Sequence, residues 1–389
     1  MKFSVQQPAF LNALQIVNKA VPQKPLHPIL VNIRIEVTQS EIILTGFDLS
    51  MGIEHRITEF NFCEQGAICL PAKLLLNIVS KQNNSSEITI STDDTYQCTL
   101  ICDNSEYQIS GMDIDEYPEL SSVIDNGSEQ NDEDFQEFTL NPADLLTAIK
   151  STIFACASDE SKQILTGLNF NISSENLKVA ATDGHRLAVV SIIRQGLKSD
   201  AENEESIITI PAKILKELER ILTGKTLESI KLIEGNGSLS FETTSTKLIC
   251  RTLDGKYPNY PQLIPDDDKF STLITVDRKA LIKSIDKVSA ILDNPKSDLI
   301  ELNLNPDNQQ IKLSTQAKDV GECFEILPAQ ISGELKMICF NVSYFLDALK
   351  AMESNEVQIK LINETNPCII IPLSNLEMLC LIMPLQKKR

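Results

Sequence analysis

Histidine is scarce in this sequence, with only His27, His55 and His185 in 389 residues. Ten cysteines are present but never in a Cys-x-x-Cys pair, so the ligand spacing of a zinc site is missing and no metal or other cofactor is expected. Scattered thiols with mostly apolar flanks suit a reducing cytosol better than a disulfide framework. No stretch of eighteen apolar residues occurs, and the first twenty residues lack a basic segment followed by an apolar one. That pattern predicts neither a helical membrane span nor a secretory leader, and hence a cytoplasmic protein. Gly-x-Ser-x-Gly and glycine-rich phosphate loops are also missing, which removes the usual signatures of an α/β-hydrolase and of a nucleotide-binding enzyme. Positive charge is short too: 35 Lys and Arg face 54 Asp and Glu, for a net charge of −19. On its face such a balance opposes a nucleic-acid partner, because affinity for phosphate comes from basic side chains.

What is present is a repeat. At about 100 to 200 residues per domain the chain should hold two to four, and one plan recurs three times. A helix with apolar residues at helical spacing begins at Pro8, Pro142 and Asp277, with Leu11, Leu145 and Leu281 in the same place in each. Proline or aspartate at the start suits a helix N-terminus. Hairpin-like stretches follow around Asp48, Asp183 and Asp319, and a second helix follows in "LPAKLLLNIVSKQ", "IPAKILKELERIL" and "FNVSYFLDALKAM". Alternating or β-branched runs such as "SEITIST", "SIITI", "SIKLI", "LIELNL" and "VQIKLI" read as strands. The acidic segment 125–137 reads as a linker, 198–206 as a loop, and "PDDDKFS" at 265–271 as a further boundary. The fold class is therefore α+β: three similar domains at 1–125, 136–262 and 270–389, each with two helices and antiparallel sheets.

The stretch "AATDGHRLAVV", Ala180 to Val190, sets Asp, Gly, His and Arg in succession. Asp183 and His185 are acid–base types, and Arg186 could hold an oxyanion, so a hydrolase is one reading. Small and β-branched flanks around Asp-Gly favour the other, a strand–turn–strand hairpin in which the carboxylate bonds local backbone amides.

Charge is segregated. The six helical windows Pro8–Ala20, Pro71–Gln82, Pro142–Ala157, Pro211–Lys225, Asp277–Asp293 and Asn341–Met352 carry +1, +2, 0, +2, +1 and 0. They thus hold +6 over 85 residues, against −25 on the other 304. Lysine alone could reflect helix propensity, but glutamate is equally good and the windows contain only Glu217 and Glu219. One-sided helices of this kind are what a surface facing phosphate would carry.

The repeat, together with "KPLHPIL", "LTGFDLSMGI", "ATDGHRLAV", "DGKYPNYPQLIP", "FNVSYFLDAL" and the ending "LIMPLQ", resembles the bacterial-type DNA polymerase III β subunit family, the sliding clamps, over essentially the whole chain. That resemblance implies a DNA clamp fold: a homodimeric head-to-tail ring, helices lining a hole that encircles double-stranded DNA, and no catalysis. It also implies tethering of the replicative polymerase, the clamp loader and repair proteins that carry clamp-binding peptides. By the same matching, Leu165, Thr182, Gly184, His185, Arg186, Leu187, Pro258, Leu263, Leu381, Met383, Pro384 and Leu385 form the peptide groove, with His185 and Arg186 orienting polar groups of the peptide. Candidate DNA contacts are Lys24, Lys73, Lys81, Lys150, Lys213, Lys216, Arg220, Arg278, Lys279, Lys283 and Lys350. Family matching sets Ile291 and Leu292 of one subunit against Leu74, Ile78 and Ile109 of the next. Gln262, where arginine is common, and the added Lys387 to Arg389 tail depart from the pattern and bear on peptide preference. A scaffold that never meets DNA is the remaining alternative.

Overall fold

Each of the six α-helices among the described residues follows directly on a strand or one residue after it. The computed structural model describes residues 1–120, 135–194, 205–224, 227–292, 299–317 and 320–386. In the first repeat, strand Lys2–Gln6 runs into α1 (Gln7–Val17), and Gly66–Pro71 into α2 (Ala72–Ser80). The middle repeat sets Gln136–Leu140 before α3 (Pro142–Thr152) and Ser206–Pro211 before α4 (Ala212–Leu222). The third sets Thr272–Asp277 before α5 (Arg278–Val288) and Met337–Asn341 before α6 (Val342–Ala351). Local chemistry fixes these starts: proline occupies the first turn of α1, while Asp277 and Asn341 cap α5 and α6 by accepting from the N–H of Ala280 and Tyr344. In the first helix of each repeat the α-helix ends earlier than the apolar spacing suggested. A 3₁₀ turn takes over at Asn18–Ala20, Ile153–Ala155 and Ser289–Ile291, a tightening common at helix ends.

Backbone contacts divide the chain into two compact units, Met1–Pro142 with Lys216–Thr252, and Ala143–Leu215 with Leu253–Arg389. The first holds a five-stranded and an eight-stranded sheet, the second a nine-stranded and a four-stranded sheet, all antiparallel. Strands of different repeats are paired within each unit. Thr246–Arg251 of the middle repeat lies against Met51–Ile57 of the first, and Arg186–Ile193 lies against Glu377–Ile382 of the third. His55, which is buried, marks the former seam: its Nδ1 lies 2.8 Å from Thr246 Oγ1. This hydroxyl is its cross-strand partner, so the histidine is a satisfied core group.

Helices pack against these sheets. In the first unit α1 packs on α2 and on the strands Ile42–Phe47 and Met51–Ile57; in the second, α5 packs on α6 and on Gln310–Ala317 and Gly321–Pro328. Phe10 of α1 is fully buried and meets Phe3 edge-on at 6.2 Å, and Phe345 of α6 stacks on Phe340 at 5.1 Å. Each such ring contributes about 1.5 to 3 kcal/mol by leaving water.

The strand readings hold at all five quoted runs, and so do the hairpins, with Gln310–Ala317 pairing Gly321–Pro328 in the third repeat. Asp319 itself, most of segments 125–137 and 198–206, the window ends Lys225 and Asp293, and Lys387 to Arg389 lie outside the described residues. One linker reading needs correction: Gln136 and Glu137, assigned to the linker, belong to strand Gln136–Leu140. Segment 265–271, read as a boundary, is an ordered stretch. It contains the 3₁₀ turn Asp267–Lys269, Phe270 packs on a core cluster, and the Ser271 N–H donates to the Leu361 carbonyl.

Candidate peptide-docking groove

The Asp-Gly stretch is a turn. Strands Asn176–Thr182 and Arg186–Ile193 pair from Asn176↔Ile193 to Thr182↔Leu187, and Gly184 has φ of +92°, a region costly for other residues. Asp183 Oδ1 accepts from the backbone N–H of His185 at 2.8 Å and of Arg186 at 3.0 Å, and Oδ2 accepts from Arg186 Nε at 3.0 Å. Thr182 Oγ1 accepts from the Gly184 N–H and donates to the Arg186 carbonyl. The hydrogen bond that Asp183 makes to His185 thus goes to its backbone N–H, and the imidazole instead stacks beside Tyr344, 6.2 Å between centroids.

Arg186 is held inside the protein. Its Nη1 donates to Asp347 at 2.7 Å, its guanidinium lies 4.5 Å over Tyr344 and 5.4 Å from Phe154, and its side chain is only 11% exposed. It fastens the hairpin turn to α6, a use that the sequence, which suggested orientation of a ligand, did not show.

Beside the turn lies an apolar floor. Leu187 and Leu381, cross-strand partners, are buried with Ala180, Val189, Ile369, Tyr257 and Tyr260, and Leu165, Ile264 and Phe270 pack against them. Tyr257 is anchored by its hydroxyl, which accepts from the Thr182 N–H at 3.0 Å. Burial pushes the phenols of Tyr257 and Tyr260 up, so both stay neutral. The rim is exposed: Pro258 lies between the two tyrosines and Leu263 follows them, Met383 is fixed by its N–H to the His185 carbonyl, and Leu385 by its N–H to the Cys339 carbonyl. Pro384 between them is half-buried.

The structure therefore gathers Leu165, Thr182, Gly184, His185, Arg186, Leu187, Leu381 and Met383 about one hairpin, with Pro258, Leu263, Pro384 and Leu385 on the adjoining segments. Tyr257, Tyr260, Ile369, Tyr344 and Asp347 were missed. Both middle-repeat tyrosines precede prolines in a stretch noticed only as a motif, and Tyr344 and Asp347 lie in another, "FNVSYFLDAL", but some 160 residues from the turn they touch, so nothing local names their partner.

Among the cations, Lys73, Lys81, Lys150, Lys213, Lys216, Arg220, Lys279, Lys283 and Lys350 are exposed at or on helices, and Lys24 is exposed in the segment after the first 3₁₀ turn. Lys213, Lys216 and Arg220 share one face of α4, opposite buried Ile214, Leu218 and Ile221. Arg220 pairs with Glu217 and Lys350 with Asp286. Arg278 is otherwise engaged, donating from Nε to the Ser354 carbonyl and from Nη1 to the Leu349 carbonyl at the end of α6. Of the interface set, Leu74 is exposed and Ile291 half-buried, whereas Ile78, Ile109 and Leu292 are buried in the single chain. Among the described residues no cluster of His, Cys, Asp and Glu could hold a metal, and no helix is long and apolar enough to cross a membrane.

Comparison with known proteins follows the same three-part division. Residues 1–121 match the N-terminal domain of the DNA polymerase III beta subunit, 139–259 its central domain and 261–386 its C-terminal domain. The beta sliding clamp of Synechococcus elongatus is 37% identical over 389 residues, covering 99% of each chain, and that of Synechocystis 35% identical with the same coverage. The crystal structure of the Bacillus subtilis DNA polymerase sliding clamp superimposes with a TM-score of 0.90 at 29% identity over the whole of both chains. The chain belongs to the DNA polymerase III beta subunit family, the beta sliding clamps.

Proposed function

We propose that this DNA sliding clamp acts as a head-to-tail dimer of three-domain subunits, divided at 1–125, 136–262 and 270–389, that encircles duplex DNA and performs no chemistry. The replicative polymerase, the clamp loader and repair proteins dock through the groove beside Asp183. One observation carries the docking: an apolar floor of Leu187, Leu381, Tyr257 and Tyr260 whose rim, Leu263, Met383 and Leu385, stays between 39 and 53% exposed. Apolar side chains at a rim suit an extended peptide that inserts apolar residues between them. Asp183 supports a non-catalytic reading, because both of its carboxylate oxygens accept hydrogen bonds within the turn.

Closure of a dimer is supported by two open sheet edges. Ser105–Ser110 ends the five-stranded sheet, and Gly321–Pro328 ends the four-stranded sheet with Phe324 and Ile326 more than half exposed. Such edges invite pairing unless covered, and a heterologous contact between them closes only if the rotation is right.

Primer extension on a primed circle tests the tethering. The clamp should lengthen the products of the cognate polymerase, and Leu187→Asp or removal of Met383 onward should abolish the gain. Product lengths unchanged by both variants contradict the groove.

A further inference from the structure

The hairpin Ile42–Phe47/Met51–Ile57 in the first unit repeats the construction of the groove hairpin in the second. Asp48 corresponds to Asp183: its Oδ1 accepts from the N–H of Ser50 at 3.0 Å and of Met51 at 2.7 Å. Counting from that anchor, Gly52 occupies the place of Leu187. It faces Ile249 across the sheet as Leu187 faces Leu381. The covering segment recurs too, Tyr117-Pro118-Glu119-Leu120 matching Tyr260-Pro261-Gln262-Leu263. Tyr117 is buried with Ile29, Leu30, Phe47, Cys69 and Ile249, and Leu120 packs against them.

The difference that decides which surface is open lies at one pair of positions. In the second unit Leu187 fills the floor and Leu263 stays 53% exposed. In the first, position 52 has no side chain and Leu120 has taken the space: a Cβ on Gly52 would lie 1.7 Å from Leu120 Cδ2. Gly52 is not among the residues with positive φ, so its backbone does not require glycine. What the missing Cβ provides is room for Leu120.

We infer that Leu120 is the built-in occupant of a second docking surface, and that the Gly52–Leu120 pair confines docking to one groove per chain. This rests on the reading that the Leu187 surface binds peptides, and it adds the residues that decide which of two related surfaces is open. Once vacated, the first-unit surface takes an extended peptide through a branched aliphatic side chain, since a leucine is what fills it now.

Calorimetric titration with a synthetic peptide from the docking segment of the cognate polymerase counts the sites. Wild type should bind one peptide per chain, Leu120→Ala two, Leu187→Asp none, and the double variant one. A folded Leu120→Ala chain that binds one peptide, and none once Leu187→Asp is added, overturns the inference. If wild type binds none, the groove reading has failed, and the seat of Leu120 is read independently from methyl NMR with a paramagnetic cosolute. The Leu120 methyls should be shielded in wild type and accessible in Gly52→Ala; equal accessibility in the two overturns the inference without any peptide.

Discussion

Arg186 carries more of the groove's architecture than a ligand contact would. Its guanidinium joins Asp183 in the turn to Asp347 on α6 and lies against Tyr344, which in turn stacks with His185. Asp347 is 42% exposed, so solvent screens that arm and it counts for little. The Asp183 pair, with both side chains under 15% exposed, and the ring contacts should dominate. Arg186→Ala should therefore destabilise the chain by about 1 to 3 kcal/mol, the scale of a charged hydrogen bond removed, and lower its Tm in a thermal melt. It should weaken peptide binding as well, through a loosened turn. His185→Ala, which removes only an exposed ring, should weaken binding with the Tm unchanged. Equal melting temperatures for wild type and Arg186→Ala would contradict the fastening role.

At the scale of elements, the helices and the sheet edges make separate predictions. Lys213 and Lys216 project from the same face of α4, and replacing both with glutamine should flatten the salt dependence of DNA binding by about one unit of slope for each phosphate no longer neutralised. An unchanged slope removes α4 from the DNA surface. Ile291→Ala with Leu292→Ala should yield a folded monomer by light scattering, because interface anchors cost about 2 kcal/mol or more when truncated. Leu292 is already buried in the single chain, so loss of folding along with dimerisation would assign both residues to the core instead. Helix starts at Pro8, Pro142 and Asp277 were readable because apolar spacing and capping chemistry are local, and so were the hairpins around Asp48 and Asp183. The register that joins Met51–Ile57 to Thr246–Arg251 was not, because no periodicity in either strand names a partner nearly two hundred residues away. For the same reason Arg186 was legible as a residue of the turn while its partners on α6 were not.

Across the whole molecule the charge pattern joins the sequence to the function. A chain of net −19 that concentrates +6 on its helical windows should repel DNA over most of its surface and attract it along those helices. Direct affinity for open DNA should then be low, and retention should depend on topology. The measurement that decides this loads the purified clamp onto nicked circular plasmid, using the cognate loader and ATP, and follows its release after a single restriction cut. Clamp should stay with the circle through gel filtration and dissociate once the circle is linear, with a block at both ends restoring retention. Equal retention on circular and unblocked linear DNA would contradict the encircling ring.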